Sequence, residues 1–215
     1  MKHVASNILR TNYKSTFLSH AEDQETIWRK LFVESRPYSD MLKKLLIINT
    51  PDCLDRTQDQ YQRKIEQYSI KDLHDNQYIK ATPKLSFGEH EEVKSYIMLD
   101  FDDFSPSENP RYRNCVISFT IISQLDYWEL DDYQLRPWMI AGYVDGIMND
   151  TRLSGIGKLQ FMGAQQLVLN EYLGGVMLRY SASHSEAVIR RILIIPSLLR
   201  KIYKAGAAWQ SYKEI

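Results

Sequence analysis

The sequence predicts an α+β fold: a mainly antiparallel sheet flanked by helices, with a helical N-terminal part and a basic C-terminal appendage. Three observations predict it. Residues 92–101 and 115–123 have strand character, and so do 157–169 and 174–183. Between the two pairs lies one amphipathic helical segment, 136–150. Strands joined by short links, with helices set apart from them, pack as an α+β unit.

The elements follow in chain order. Residues 1–18 read as an irregular arm. Ser19, His20, Ala21 and Glu22 have the spacing of a capping box, which opens a helix. Ile27, Trp28, Leu31 and Phe32 then form an apolar stripe at helical spacing, and Pro37 should end it. "DMLKKLLIIN" (40–49) is a second apolar piece, a short helix or a buried strand. "TPDCLDRTQDQ" (50–60) is a polar loop, and Ile65, Tyr68 and Leu73 put a loose helix over 61–73.

"EVKSYIMLDF" alternates: Val93, Ser95, Ile97, Leu99 and Phe101 fall on one face, Lys94, Tyr96, Met98 and Asp100 on the other. "DDFSPSENPRYRN" (102–114), with two prolines, reads as a turn-rich link. "CVISFTIIS" (115–123) is β-branched and returns as the second strand of a hairpin. After the acidic, aromatic connection 124–135, Pro137 suits the first turn of a helix, where its missing N–H costs nothing. Ile140, Tyr143, Val144 and Ile147 make that helix's apolar face. Gly142 and Gly146 weaken it by about 1 kcal/mol each, so close packing is expected there. The last two strands meet at the turn "NEYLGG" (170–175).

The organisation is therefore an arm (1–18), a core domain (19–183) and an appendage (184–215). The appendage carries Arg190, Arg191, Arg200, Lys201, Lys204 and Lys213 against Glu186 and Glu214, a charge of +4. The whole chain is neutral, 27 basic against 27 acidic residues, so residues 1–183 sum to −4. "SEAVIRRILIIPSLLRKIYKAGAAW" reads as one or two amphipathic helices kinked at Pro196, docking on a neighbour.

Composition narrows the function. Zero net charge suits life inside an assembly better than life alone in solution. Fourteen tyrosines and four tryptophans supply the rings that interfaces favour. Cys53 and Cys115, far apart in the chain, read as reduced thiols. The N-terminal stretch lacks the apolar region of a signal peptide. The run "ILIIPSLL" is too short, and too broken by Pro196, to span a bilayer. No membrane partner is expected.

The chemistry-bearing candidates are few. Asp100, Asp102 and Asp103 stand behind an apolar run, with Glu89, His90, Glu91 and Glu92 nearby. Converging carboxylates would hold a metal ion and make a metal-dependent enzyme. Acids at the wet end of a strand need no ion. His90-Glu91-Glu92-Val93-Lys94 lacks the second histidine of a zinc-protease motif. "SGIGKLQFMG" places its glycines before a strand, so no helix N-terminus waits there for a phosphate. The neutral chain has no overall basic footprint for nucleic acid. No cofactor, catalytic residue or metal ligand is assigned.

The stretch "RNCVISFTIISQLDYWELDDYQLRPWMIAGYVDGIMND", followed by "GIGKLQFMGAQQLVLNEYLGGVMLRYSAS", resembles the tail-terminator and related neck proteins of long-tailed bacteriophages. The resemblance spans residues 60–183 and rests on element order. It implies an antiparallel sheet flanked by helices and a non-enzymatic virion protein of the phage neck, made in the host cytoplasm. Such proteins form a ring, here a hexamer, that caps the tail tube and joins it to the head-completion or connector protein. Genomic DNA passes through the lumen without specific binding. The extra N-terminal part and basic appendage leave room for a different neck, collar or head-completion component. Under this reading Asp100, Asp102, Asp103, Arg136, Arg190, Arg191, Arg200 and Lys201 are the candidate lumen or subunit-interface residues. Lumen acids would repel phosphate, and a head-to-tail ring needs two different complementary patches, which the −4 body and +4 appendage would supply.

Overall fold

A computed structural model describes residues 17–55, 57–80, 95–108 and 112–185 of the chain. Helix α1 (Phe17–Arg29) passes into a wider turn, Lys30–Glu34. α2 (Tyr38–Ile47), α3 (Asp59–Glu66) and α4 (Ile70–Asp75) follow. The short β1 (Ile79–Lys80) leads to β2 (Tyr96–Pro106) and β3 (Tyr112–Gln124). α5 (Arg136–Met148) separates these from β4 (Arg152–Leu153), β5 (Gly157–Lys158), β6 (Gln160–Val168) and β7 (Leu173–Ser185). β1, β2, β3, β7 and β6 form one sheet in that order, antiparallel except for β1 beside β2. The architecture is the expected α+β.

The differences from the sequence reading are local. α1 already runs at Phe17, so Ser19 lies within the helix instead of capping it. The apolar piece at 40–49 is helix as far as Ile47, with Leu42, Leu45 and Leu46 buried. The single helix expected over 61–73 is two. Ser69 breaks it: its hydroxyl accepts from Asp72 N–H while the Asp72 carboxylate accepts from Ser69 N–H, a capping box that restarts the chain. The strand β2 runs on through "DDFSP" to Pro106, because pairing with β3 holds residues that intrinsic preference would place in a turn. A bulge between Asp102 and Ser105 absorbs the misfit, with Asp103 at φ 50°. Nothing lies within 4 Å of where a Cβ at Gly142 or Gly146 would stand, so the close packing expected there is absent.

Antiparallel pairing puts directly opposed residues on the same face. Ile97, Ile121 and Val176 make one rung, Leu99, Phe119 and Leu178 the next, then Phe101, Ile117 and Tyr180. The helices cover this face. Ile27, Leu31, Phe32, Leu45, Ile140 and Val144 pack on it to form the main core. Phe119 meets Tyr180 edge to face at 5.8 Å, and the Tyr180 hydroxyl donates to Asp145 of α5 at 2.7 Å. At Gly175 the chains approach closely: a Cβ there would overlap the Ile121 carbonyl oxygen, so only glycine fits.

Arg136 is the polar centre of the helical layer. It opens α5 and is fully buried. Its guanidinium donates to Tyr127 O at 2.8 Å, Leu45 O at 2.8 Å, Ile48 O at 2.7 Å and Thr50 O at 2.8 Å. Leu45 and Ile48 belong to the end of α2, where carbonyls have no helical partner and a cation is welcome. One side chain thus closes α2, anchors the loop after it and fixes the 124–135 connection to the start of α5.

Candidate assembly surface

The other face of the sheet is mixed: Tyr96, Met98 and Ile122 form a small buried cluster at one end, and polar residues gather toward the other. Its rungs run across all four long strands: Met98, Thr120, Met177 and Gln165; then Asp100, Ser118, Arg179 and Gly163; then Asp102, Val116, Ser181 and Gln160. Asp100 and Asp102 therefore share one face, as alternation requires. The Ser118 hydroxyl lies 3.5 Å from an Asp102 oxygen. Asp103, turned aside by the bulge, pairs with Arg179 at 3.1 Å across the intervening β3. That pair is exposed, so it holds about 0–1 kcal/mol at most. Among the described residues neither Asp100 nor Asp102 forms an ion pair. No three His, Cys, Asp or Glu side chains converge as metal ligands among the described residues. Glu89, His90, Glu91 and Glu92 lie outside them.

Arg136 is corrected by the structure. It faces inward against carbonyls and is absent from the surface of the chain, so it contacts neither a lumen nor a neighbour directly. Arg190, Arg191, Arg200 and Lys201 lie outside the described residues.

The sheet also has a feature that the sequence does not announce, its bare edge. β6 closes the sheet on one side, and no described strand pairs with its outer margin, where the Phe161 N–H donates to Asn149 Oδ1 at 3.3 Å. "QFMGAQQLV" holds no charge and no proline, two of the devices by which sheets blunt their edges, and is interrupted by one bulge, between Phe161 and Gly163. The helical layer stops at β7. Val176 and Tyr180 are 0% exposed, while their β6 neighbours Gln166 and Phe161 are exposed, Phe161 by 45%. Val168 is 73% exposed and Met162 55%. Tyr172, in the turn to β7, adds a further exposed ring. The run of nine uncharged residues is visible in the sequence, but nothing there says that β6 is an edge.

Residues 39–182 match the family YomW, two thirds of the chain. The chain belongs to the YomW family. That family is phage-derived, which agrees with the phage origin that the resemblance implied. The matched span of this YomW-family chain takes in the sheet, α5 and most of the helical layer. No curated protein matches the chain. A solved chain from the "Virion of native gene transfer agent (GTA) particle" is similar to this one at 15% identity and a TM-score of 0.36, covering 58% of this chain and 90% of that one. Among the described residues no helix of the YomW-family chain is long and apolar enough to cross a membrane.

Proposed function

We propose that this chain is a structural, non-enzymatic virion protein of a phage neck, working as a tail terminator: a ring that caps the tail tube and meets the head connector. The observation that carries the reading is the exposed β6 edge of the sheet. A neutral chain with an uncharged, apolar edge strand is poorly built for a solitary life and well built for contact with another protein. The phage-derived family supports the setting. The polar end of the sheet's other face gives the aspartates their place. Turned toward a lumen, Asp100 and Asp102 repel the phosphates of passing DNA and keep it from sticking. The partners are copies of the same chain, in a hexamer by the resemblance, together with the tail tube protein and the connector. The site of action is the neck of the virion.

The test is the mass of the purified protein by light scattering, with negative-stain images of the same sample and of the protein added to tail tubes. Rings, free or on tube ends, are expected. A monomer that also leaves tube ends bare overturns the reading. Reversing Asp100, Asp102 and Asp103 to lysine should leave the ring intact and lower infectivity; unchanged infectivity removes the lumen role.

A further inference from the structure

We infer that the β6 edge is the seat for residues 187–195 of a neighbouring copy, which add as a sixth strand and tie one protomer to the next. The inference rests on the ring reading and names the contact that would close it.

The seat is defined by what it lacks. Past its bulge at Met162, and past Phe161, whose N–H Asn149 already takes, β6 offers a row of outward backbone N–H and C=O groups with no charge and no proline to turn a strand away. Both of its faces are open around Phe161, Met162 and Val168. An added strand gains main-chain hydrogen bonds from the edge and apolar contact from these side chains, the usual division between affinity and specificity in strand addition.

The occupant is defined by where the chain goes. β7 ends at Ser185, and thirty residues, 186–215, follow it. Their first apolar run is "AVIRRILII", nine residues with Val188, Ile189, Ile192, Ile194 and Ile195 β-branched. That composition suits a pleated surface, so against a sheet edge this run would pair as a strand in place of the helix that the sequence by itself suggests. Pro196 follows at once and ends the pairing, since it has no N–H to give. The length equals that of β6. Arg190 and Arg191 are the only charges in the run and meet no like charge on β6. The +4 of 184–215 against the −4 of the remainder favours contact between copies. Seat and occupant are different patches on every protomer, so repeated pairing runs head to tail, as a ring of this kind requires.

The experiment is cysteine cross-linking in the full chain, where Cys53 and Cys115 are buried. Full-length Gln165→Cys and full-length Ile192→Cys are mixed and oxidised. A covalent dimer containing one of each is expected, and the double variant should give a ladder of multimers. Dimers of Gln165→Cys alone mean that two β6 edges meet, which overturns the proposal. A cross-link confined to single chains means that the tail folds back on its own sheet and overturns it too, as does no cross-link. Val168→Lys with Gln165→Lys supplies the second readout: the mixed cross-link at a neighbouring pair in the same register, Gln166→Cys with Leu193→Cys, should fall at least tenfold. Rings that persist in that charged variant sink this contact and leave the neck reading standing. A ladder without rings does the reverse.

Discussion

β7 and β6 are hydrogen-bonded neighbours with the same alternation, yet they live in different surroundings. On one rung Val176 is fully buried and Gln166 is exposed; on another Tyr180 is buried and Phe161 is open by 45%. The difference comes from the helical layer, which packs on β3 and β7 and ends there. A sheet face needs a cover wherever it is apolar, and here the cover stops one strand short. Burial is concentrated on the covered side, and under the proposed function contact with other molecules falls to the uncovered one. Substitutions should separate the two.

The largest effect belongs to Arg136. Arg136→Met removes the donors from four carbonyls at the junction of α2, the loop after it and α5. Each orphaned acceptor in a buried place carries a desolvation penalty, so a loss of about 3–5 kcal/mol is expected in urea unfolding. Arg136→Lys should recover less than half, because an ammonium cannot reach carbonyls spread as a guanidinium reaches them. A loss below about 1 kcal/mol for Arg136→Met would mean that the covered side does not depend on this hub. Gly175→Ala comes next, at roughly 2–3 kcal/mol, since the new Cβ would strike the Ile121 carbonyl and part β3 from β7.

These two sites show which features a sequence displays and which it hides. The strand–strand–helix–strand–strand order is legible because "CVISFTIIS" is β-branched and Ile140, Val144 and Ile147 repeat at helical spacing, both local signals. Arg136 reads from sequence as a surface charge because its partners Leu45, Ile48 and Thr50 lie some ninety residues away. A lone arginine beside a proline carries no mark of that. The extension of β2 through "DDFSP" is hidden for the same reason: its partner strand, and not its own residues, holds it extended. The break at Ser69 is within reach of the sequence, since Ser69 and Asp72 have capping-box spacing. Of the candidate site, the shared face of Asp100 and Asp102 follows from alternation. The bare edge does not, because strand order in a sheet is not written in any one strand.

pH sharpens the comparison on the covered side. Burial pushes the Cys115 thiol up to about 11, with Asp23 adding to the shift. Burial also raises Cys53, against the pull of Arg136, and raises Tyr180, with its bond to Asp145 adding to the shift. In each case the folded chain holds its proton more tightly than the unfolded one. For Cys115 that contribution to stability is complete below the ordinary thiol value of 9.0 and is lost as pH climbs through about 11. Unfolding midpoints should fall steadily over that window. Cys115→Ala should flatten the part due to the thiol, and a profile unchanged by Cys115→Ala would place the sensitivity at Cys53 or Tyr180.

The smallest effect on stability should fall on the uncovered side. Val168 is 73% exposed at the end of β6, so Val168→Lys removes little buried surface and should change unfolding free energy by about 0.5 kcal/mol or less. A lysine on an edge strand is also how sheets avoid pairing with one another. The same substitution should therefore leave the monomer folded and reduce self-association, read as a lower weight-average mass by light scattering at equal concentration. The two readouts must move independently for the contrast between the strands to hold. If Val168→Lys destabilises the chain as Gly175→Ala does, β6 belongs to the stabilising core of the sheet after all. If it leaves mass and stability both untouched, the edge is bare without being used.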